Sequence, residues 1–255
     1  MTTAIAPSLE EALRLVASAE HLLVASDFDG TLAEIVNRPE LAVAHPGAIA
    51  ALTDLATLPD TDAAVISGRT RADLALLTGQ PAALTLVGGH GAEWSDRLDL
   101  TVAQAEALDA ATKLVEEVAA RHHGSLVERK QTSAVLHTRG IEEPVEAERA
   151  ATAVREAGAE IPGVMVLDGK QVVELTVTPH TKGSALATLR RRVAATAALF
   201  VGDDMTDETA FEVLGPSDLA VKVGPGPTSA LHRVATVPEV VDLLVRLFDL
   251  RRSNA

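Results

Sequence analysis

The sequence predicts an α/β fold: a Rossmann-like, doubly wound parallel sheet interrupted by an inserted α+β domain. Two observations predict it. Four short apolar runs, separated by stretches with helical periodicity, each end in polar residues, as buried parallel strands do. Between residues 100 and 178 the pattern changes to helix, two strands, helix, two strands. The core is therefore assigned to residues 1–99 and 179–255, and the insertion to 100–178.

Taken in order, Ser8-Leu9-Glu10-Glu11 has capping-box spacing, and Leu13, Val16 and Ala17 follow at helical intervals, so a short amphipathic helix opens the chain. The run Leu22 to Ala25 reads as a buried strand ending in Ser26-Asp27. A helix over 46–59 leads to the strand 63–66, which ends in Ser67-Gly68-Arg69. Leu84 to Val87 ends in Gly88-Gly89-His90-Gly91, and 197–201 ends in Gly202-Asp203-Asp204. Ligands of doubly wound sheets bind at such strand ends. In the insertion, Asp168-Gly169 signals a hairpin joining the last two strands. Alternation puts Glu128 and Lys130 on one strand face, and Val173, Leu175 and Val177 on an apolar face opposite Glu174.

Composition narrows the function. The interior must be aliphatic, because the chain of 255 residues is 47% hydrophobic with four Phe, one Trp and no Tyr. Without cysteine, disulfides, thiolate metal sites and a cysteine nucleophile are excluded, and a reduced compartment, the cytoplasm, is the expectation. The N-terminus lacks the marks of a signal peptide, and no stretch is long and apolar enough for a membrane span. A formal net charge of −14 argues against nucleic acid and anionic membranes as partners. The expected partner is a small molecule, and the chain is expected to be monomeric.

Asp27-Phe28-Asp29-Gly30-Thr31 is the most informative segment. Two carboxylates at the end of a buried strand are costly without a compensating cation. Oxygen ligands from neighbouring strand ends suit Mg2+, and Asp203 is the natural partner. One oxygen of Asp27 could attack phosphorus, giving an aspartyl-phosphate. Asp29 could protonate the leaving oxygen and later deprotonate water. The Ser67 hydroxyl, the Gly68 amide and Lys182, which opens a helical stretch, complete a phosphate site.

Asp27-Phe28-Asp29-Gly30-Thr31-Leu32, Ser67-Gly68-Arg69, Lys182-Gly183 and Gly202-Asp203-Asp204-Met205-Thr206-Asp207-Glu208 resemble the four ordered motifs of the haloacid dehalogenase (HAD) superfamily of phosphatases. Within it the chain is most similar to trehalose-6-phosphate phosphatases, through Gly89-His90-Gly91-Ala92-Glu93, Glu128-Arg129-Lys130 with Ser133 and His137, Gly169-Lys170 to Glu174, and Val221-Lys222-Val223-Gly224. The similarity runs from about residue 22 to 245. It implies a HAD-like core with a C2-type cap, and hydrolysis of trehalose 6-phosphate. On the resemblance Asp27 is the nucleophile, Asp29 the general acid/base, and Asp27, Asp203 and the Asp29 carbonyl hold Mg2+. It also implies that Ser67 and Lys182 hold phosphate, with Gly68, Arg69 and His90 on the substrate side. Glu128, Lys130 and Glu174 of the cap would bind sugar hydroxyls. Two departures touch the sugar side: Leu175-Thr176-Val177-Thr178 replaces a basic residue and Pro after Glu174, and Gly89 replaces Asn.

Other readings compete. Asp204, Asp207 and Glu208 are equally readable as outer-sphere residues or as the acidic first turn of a helix. Glu128, Lys130 and Glu174 could form a cross-strand ion-pair network, and His90 a structural hydrogen bond. His122-His123 reads as a helix end, and Gly224-Pro225-Gly226 as a turn. As alternatives to trehalose 6-phosphate stand another sugar phosphate, of the sucrose or glucosyl-glycerol type, and a catalytically silent sugar-phosphate sensor.

Overall fold

The computed structural model describes residues 8–36, 38, 41–94 and 100–254. The chain divides into two units, Met1–Gly91 with Thr181–Ala255, and Ala92–His180. Among the described residues no helix is long and apolar enough to cross a membrane.

In the first unit, β1 (Leu22–Ser26), β2 (Thr61–Ile66), β3 (Leu84–Val87), β8 (Ala197–Gly202), β9 (Leu219–Val223) and β10 (His232–Val234) form a parallel sheet in the order β10-β9-β8-β1-β2-β3. The order reverses beside β1, the position at which an open α/β sheet presents a ligand crevice. Strand β1 is buried throughout, with β2 and β8 on either side. The capping box of Ser8 and Glu11 starts α1 (Leu9–Ala17), which buries Ala12, Leu13, Val16 and Ala17. Helix α2 (Pro46–Leu55) is shorter than the 46–59 expected from periodicity. Pro59 lacks an N–H and disfavours helical geometry at Leu58, so the segment after Leu55 turns, with Asp60 at φ 49°. The remaining helices of this unit are α3 (Arg71–Thr78), α6 (Lys182–Val193), α7 (Met205–Phe211) and α8 (Val237–Asn254). Two strands, β9 and β10, were not expected: Lys222 interrupts one apolar run, and His232-Arg233-Val234 is too short and polar to read as a strand.

The second unit runs α4 (Val102–Ala119), β4 (Leu126–Arg129), β5 (Ser133–His137), α5 (Pro144–Ala159), β6 (Met165–Gly169) and β7 (Val172–Thr176). Its strands form an antiparallel sheet ordered β4-β5-β7-β6. Ala134, Leu136, Val173 and Leu175 pack with Ala111, Val115, Ala150 and Val154 of the two helices. The β6–β7 hairpin turns at Lys170-Gln171, with Gln171 at φ 60°, just after the Asp168-Gly169 signal. Register lines up Glu128, Val135, Glu174 and Leu167 across the sheet, on the face opposite the helix-packed residues.

Candidate active site

The C-terminal ends of β1 and β8 bring buried acids together. Asp27 directly follows β1, Asp203 directly follows β8, and Asp207 lies in the first turn of α7. Asp27, Asp203 and Asp207 are all buried, and each offers a carboxylate oxygen within 4.8 Å of the others. Gly30, at φ 76°, makes this approach possible: a Cβ there would lie 2.4 Å from the Asp203 carboxylate.

Lys182 is the first residue of α6, and its ammonium lies 2.8 Å from Asp27 Oδ1 and 2.7 Å from Asp207 Oδ1. Gly183 explains how the lysine gets there. A side chain at 183 would meet the Thr209 carbonyl at 2.0 Å, so glycine lets α6 sit against α7, with the Gly183 N–H donating to Thr209 Oγ1. Burial, reinforced by the charges of Asp207 and Asp203, pushes the Asp27 carboxyl well above its ordinary value despite Lys182. For Lys182, burial pushes the other way, but Asp207 and Asp27 outweigh it and hold the ammonium well above the usual lysine range.

Three buried carboxylates against one ammonium leave negative charge that a second cation would relieve. An all-oxygen donor set at this spacing fits Mg2+. The two carboxylates expected at the metal, those of Asp27 and Asp203, lie in this cluster, and Asp207, which the sequence left open between an outer-sphere role and the acidic first turn of a helix, is its third carboxylate. The Asp29 carboxylate is instead gripped in bidentate fashion by Arg69, Nε to Oδ2 at 2.6 Å and Nη2 to Oδ1 at 2.7 Å. Strand β1 ends at Ser26, so Asp27 and Asp29 both lie in the segment that follows it. The Arg69 guanidinium also lies 5.4 Å from the centre of the Phe28 ring.

Ser67, buried at the end of β2, accepts the Arg69 N–H at its hydroxyl. Its carbonyl accepts the His90 N–H, and the Arg69 carbonyl accepts that of Gly89, which ties the second and third polar segments together by backbone. His90 takes φ 53°, and its imidazole packs over Gly68. Asp204 caps α7 in a box with Asp207, and Glu208 accepts from the Ser229 N–H and hydroxyl. Sequence reasoning gave Lys222 no role, yet it is buried and donates to the Asp203 carbonyl. A lysine within an otherwise apolar run was the available signal.

The second unit gathers the remaining sequence-predicted residues into a polar cluster. Glu174 accepts from Lys130 at 3.0 Å and from the Ser133 hydroxyl at 2.5 Å, and His137 Nε2 lies 2.8 Å from Glu128 Oε2. Burial would raise the Glu128 carboxyl, but His137 and Lys130 outweigh it and hold it below its ordinary value. Burial would lower the Lys130 ammonium, but Glu174 and Glu128 hold it above its own. His122 pairs with Glu146 at 2.9 Å just after α4.

The trehalose-phosphatase family model matches residues 25–237, most of the chain. The chain belongs to the trehalose-phosphatase family. That family is part of the HAD superfamily. The trehalose-6-phosphate phosphatase of Escherichia coli is 32% identical over 238 residues, covering 89% of this chain and 88% of its own. The bifunctional trehalose-6-phosphate synthase/phosphatase of Thermoproteus tenax is 34% identical over 91% of this chain, which spans only 32% of that protein's length. The C-terminal domain of the Candida albicans trehalose-6-phosphate phosphatase superimposes with a TM-score of 0.82, covering 97% of this chain and 98% of that one. At 22% identity it shows a shared fold.

Proposed function

We propose that this member of the family is a Mg2+-dependent phosphoric monoester hydrolase that converts trehalose 6-phosphate to trehalose and phosphate. The observation that carries the reading is the buried cluster of Asp27, Asp203 and Asp207 against Lys182 at the sheet's ligand edge. The names of the relatives support the substrate.

Asp27 acts as nucleophile: its free carboxylate oxygen bonds to phosphorus as the bond from phosphorus to the sugar oxygen breaks. Asp29 gives that oxygen a proton, then takes one from the water that attacks the aspartyl-phosphate, releasing phosphate and restoring Asp27. The Arg69 fork on both Asp29 oxygens holds that carboxylate ionised, so Asp29 leaves the fork and takes up a proton before the first transfer. Lys182, Ser67 and Gly68 hold the phosphoryl oxygens. Asp27, Asp203 and the Asp29 carbonyl, with Asp207 behind them, would hold Mg2+, which neutralises phosphoryl charge when bound. The second unit is the cap, and Glu128, Lys130 and Glu174 recognise sugar hydroxyls, with His90 on the substrate side of the core. The protein works as a cytoplasmic monomer.

Phosphate release with Mg2+ from a panel of trehalose 6-phosphate, sucrose 6-phosphate and glucosyl-glycerol phosphate tests the reading. Trehalose 6-phosphate is expected to be preferred, and a preference for another member rejects the substrate. Tight binding without turnover of any would instead favour a silent sensor.

A further inference from the structure

Lys222 is an ammonium buried in the sheet, with no part in the chemistry above. It sits on β9 in register with Gly202 of β8, between Val221 and Val223, which point to the opposite, apolar face. Burying an ammonium is costly unless it is paired. This one reaches the sheet edge and donates to the backbone carbonyl of Asp203. The N–H of the same peptide group, that of Asp204, donates to Asp207 Oδ2 at 2.8 Å. A single peptide unit is thus clamped at both ends by charge: a cation on its oxygen and an anion on its hydrogen, each matching the peptide dipole and forming a charge-assisted bond. The orientation of that peptide sets the direction of the Asp203 side chain, whose carboxylate leaves no room for a Cβ at Gly30.

We propose that Lys222 is a positioning residue for Asp203: by holding the Asp203–Asp204 peptide it aims the Asp203 carboxylate at the acidic cluster and so sets the affinity for the divalent cation. The proposal rests on the reading of Asp203 as a Mg2+ ligand. It is tested by titration calorimetry of Mg2+ into the full chain, parent, K222M and K222R, together with thermal unfolding in EDTA. Methionine keeps the length and volume of the side chain and removes the charge and the donors; arginine keeps both. K222M is expected to unfold cooperatively in EDTA and to bind Mg2+ at least about tenfold more weakly, the range found when outer-sphere partners of metal ligands are lost. K222R is expected to recover most of the affinity. At saturating Mg2+ the KM for the sugar phosphate stays at the parent value. A folded K222M that binds Mg2+ within about twofold of the parent overturns the proposal, because losing an outer-sphere partner weakens metal binding by more than that. So does a K222M that does not fold, which would make the lysine structural only. A parent chain that fails to bind Mg2+ defeats the reading of the acidic cluster itself, an outcome distinguishable from the other two.

Discussion

Replacing Lys182 with methionine removes the ammonium placed among the three clustered acids. The side chain is 2% exposed and bonds two buried carboxylates at 2.8 and 2.7 Å. Breaking a buried ion pair by deleting one partner costs about 3–5 kcal/mol, since the surviving charges stay desolvated. At about 2–4 °C per kcal/mol for a domain of this size, the melting temperature in EDTA should fall by roughly 6–20 °C. The raised affinity of Lys182 for its proton keeps this contribution intact at every pH below the ordinary lysine value of 10.5, and it is lost only as pH climbs through the higher native value. Calorimetry at neutral pH is therefore a fair assay. Adding Asp207→Asn to K182M should recover part of the loss by removing one unpaired carboxylate, a coupling that a double-mutant cycle reads directly. A fall of less than about 2 °C would refute the reasoning, since it would mean that the acids do not depend on the ammonium.

Asp27→Asn should abolish phosphate release. It should also be at least as stable as the parent in EDTA at neutral pH. The carboxyl is held well above its ordinary value of 3.8, so it increasingly opposes folding as pH rises from there towards the native value, and the amide removes that penalty. Chemical unfolding of both proteins across that pH range checks the sign: the gap should close on acidification. Gly30→Ala places a Cβ 2.4 Å from the Asp203 carboxylate in a left-handed backbone. It should cost about 1–2 kcal/mol from the backbone alone and weaken Mg2+ binding in a calorimetric titration. Glu174→Gln loosens the hold on Lys130 and Ser133 in the second unit, so, on the proposed role in sugar recognition, steady-state kinetics should show a raised KM with kcat largely kept; an unchanged KM would remove Glu174 from that role.

What the sequence conveyed was whatever depends on uninterrupted apolar runs and local caps. Strands β1, β2 and β8 announce themselves because both faces are largely buried, β3 shows as three buried apolar residues around an exposed Thr85, and the capping box at Ser8 needs only its own four residues. The helix and strand order of the second unit was equally readable, since each element keeps one apolar face. Long-range pairing was not. Nothing local shows that Arg69, forty residues away, takes the Asp29 carboxylate, or that Asp207 turns back from its helix to complete the acidic cluster. Strand β9 was hidden by the lysine that gives it interest: Lys222 breaks the apolar run because its partner is a carbonyl on the next strand's loop.

The account stands on Asp27 being both a cation ligand and the residue that bonds to phosphorus. A crystal structure of the chain grown with Mg2+ and beryllium fluoride tests this most directly. The account predicts beryllium bonded to one oxygen of Asp27 and a single Mg2+ shared by the other oxygen and Asp203. Fluoride complexes bound away from Asp27, or an ion that Asp27 and Asp203 do not share, would contradict it.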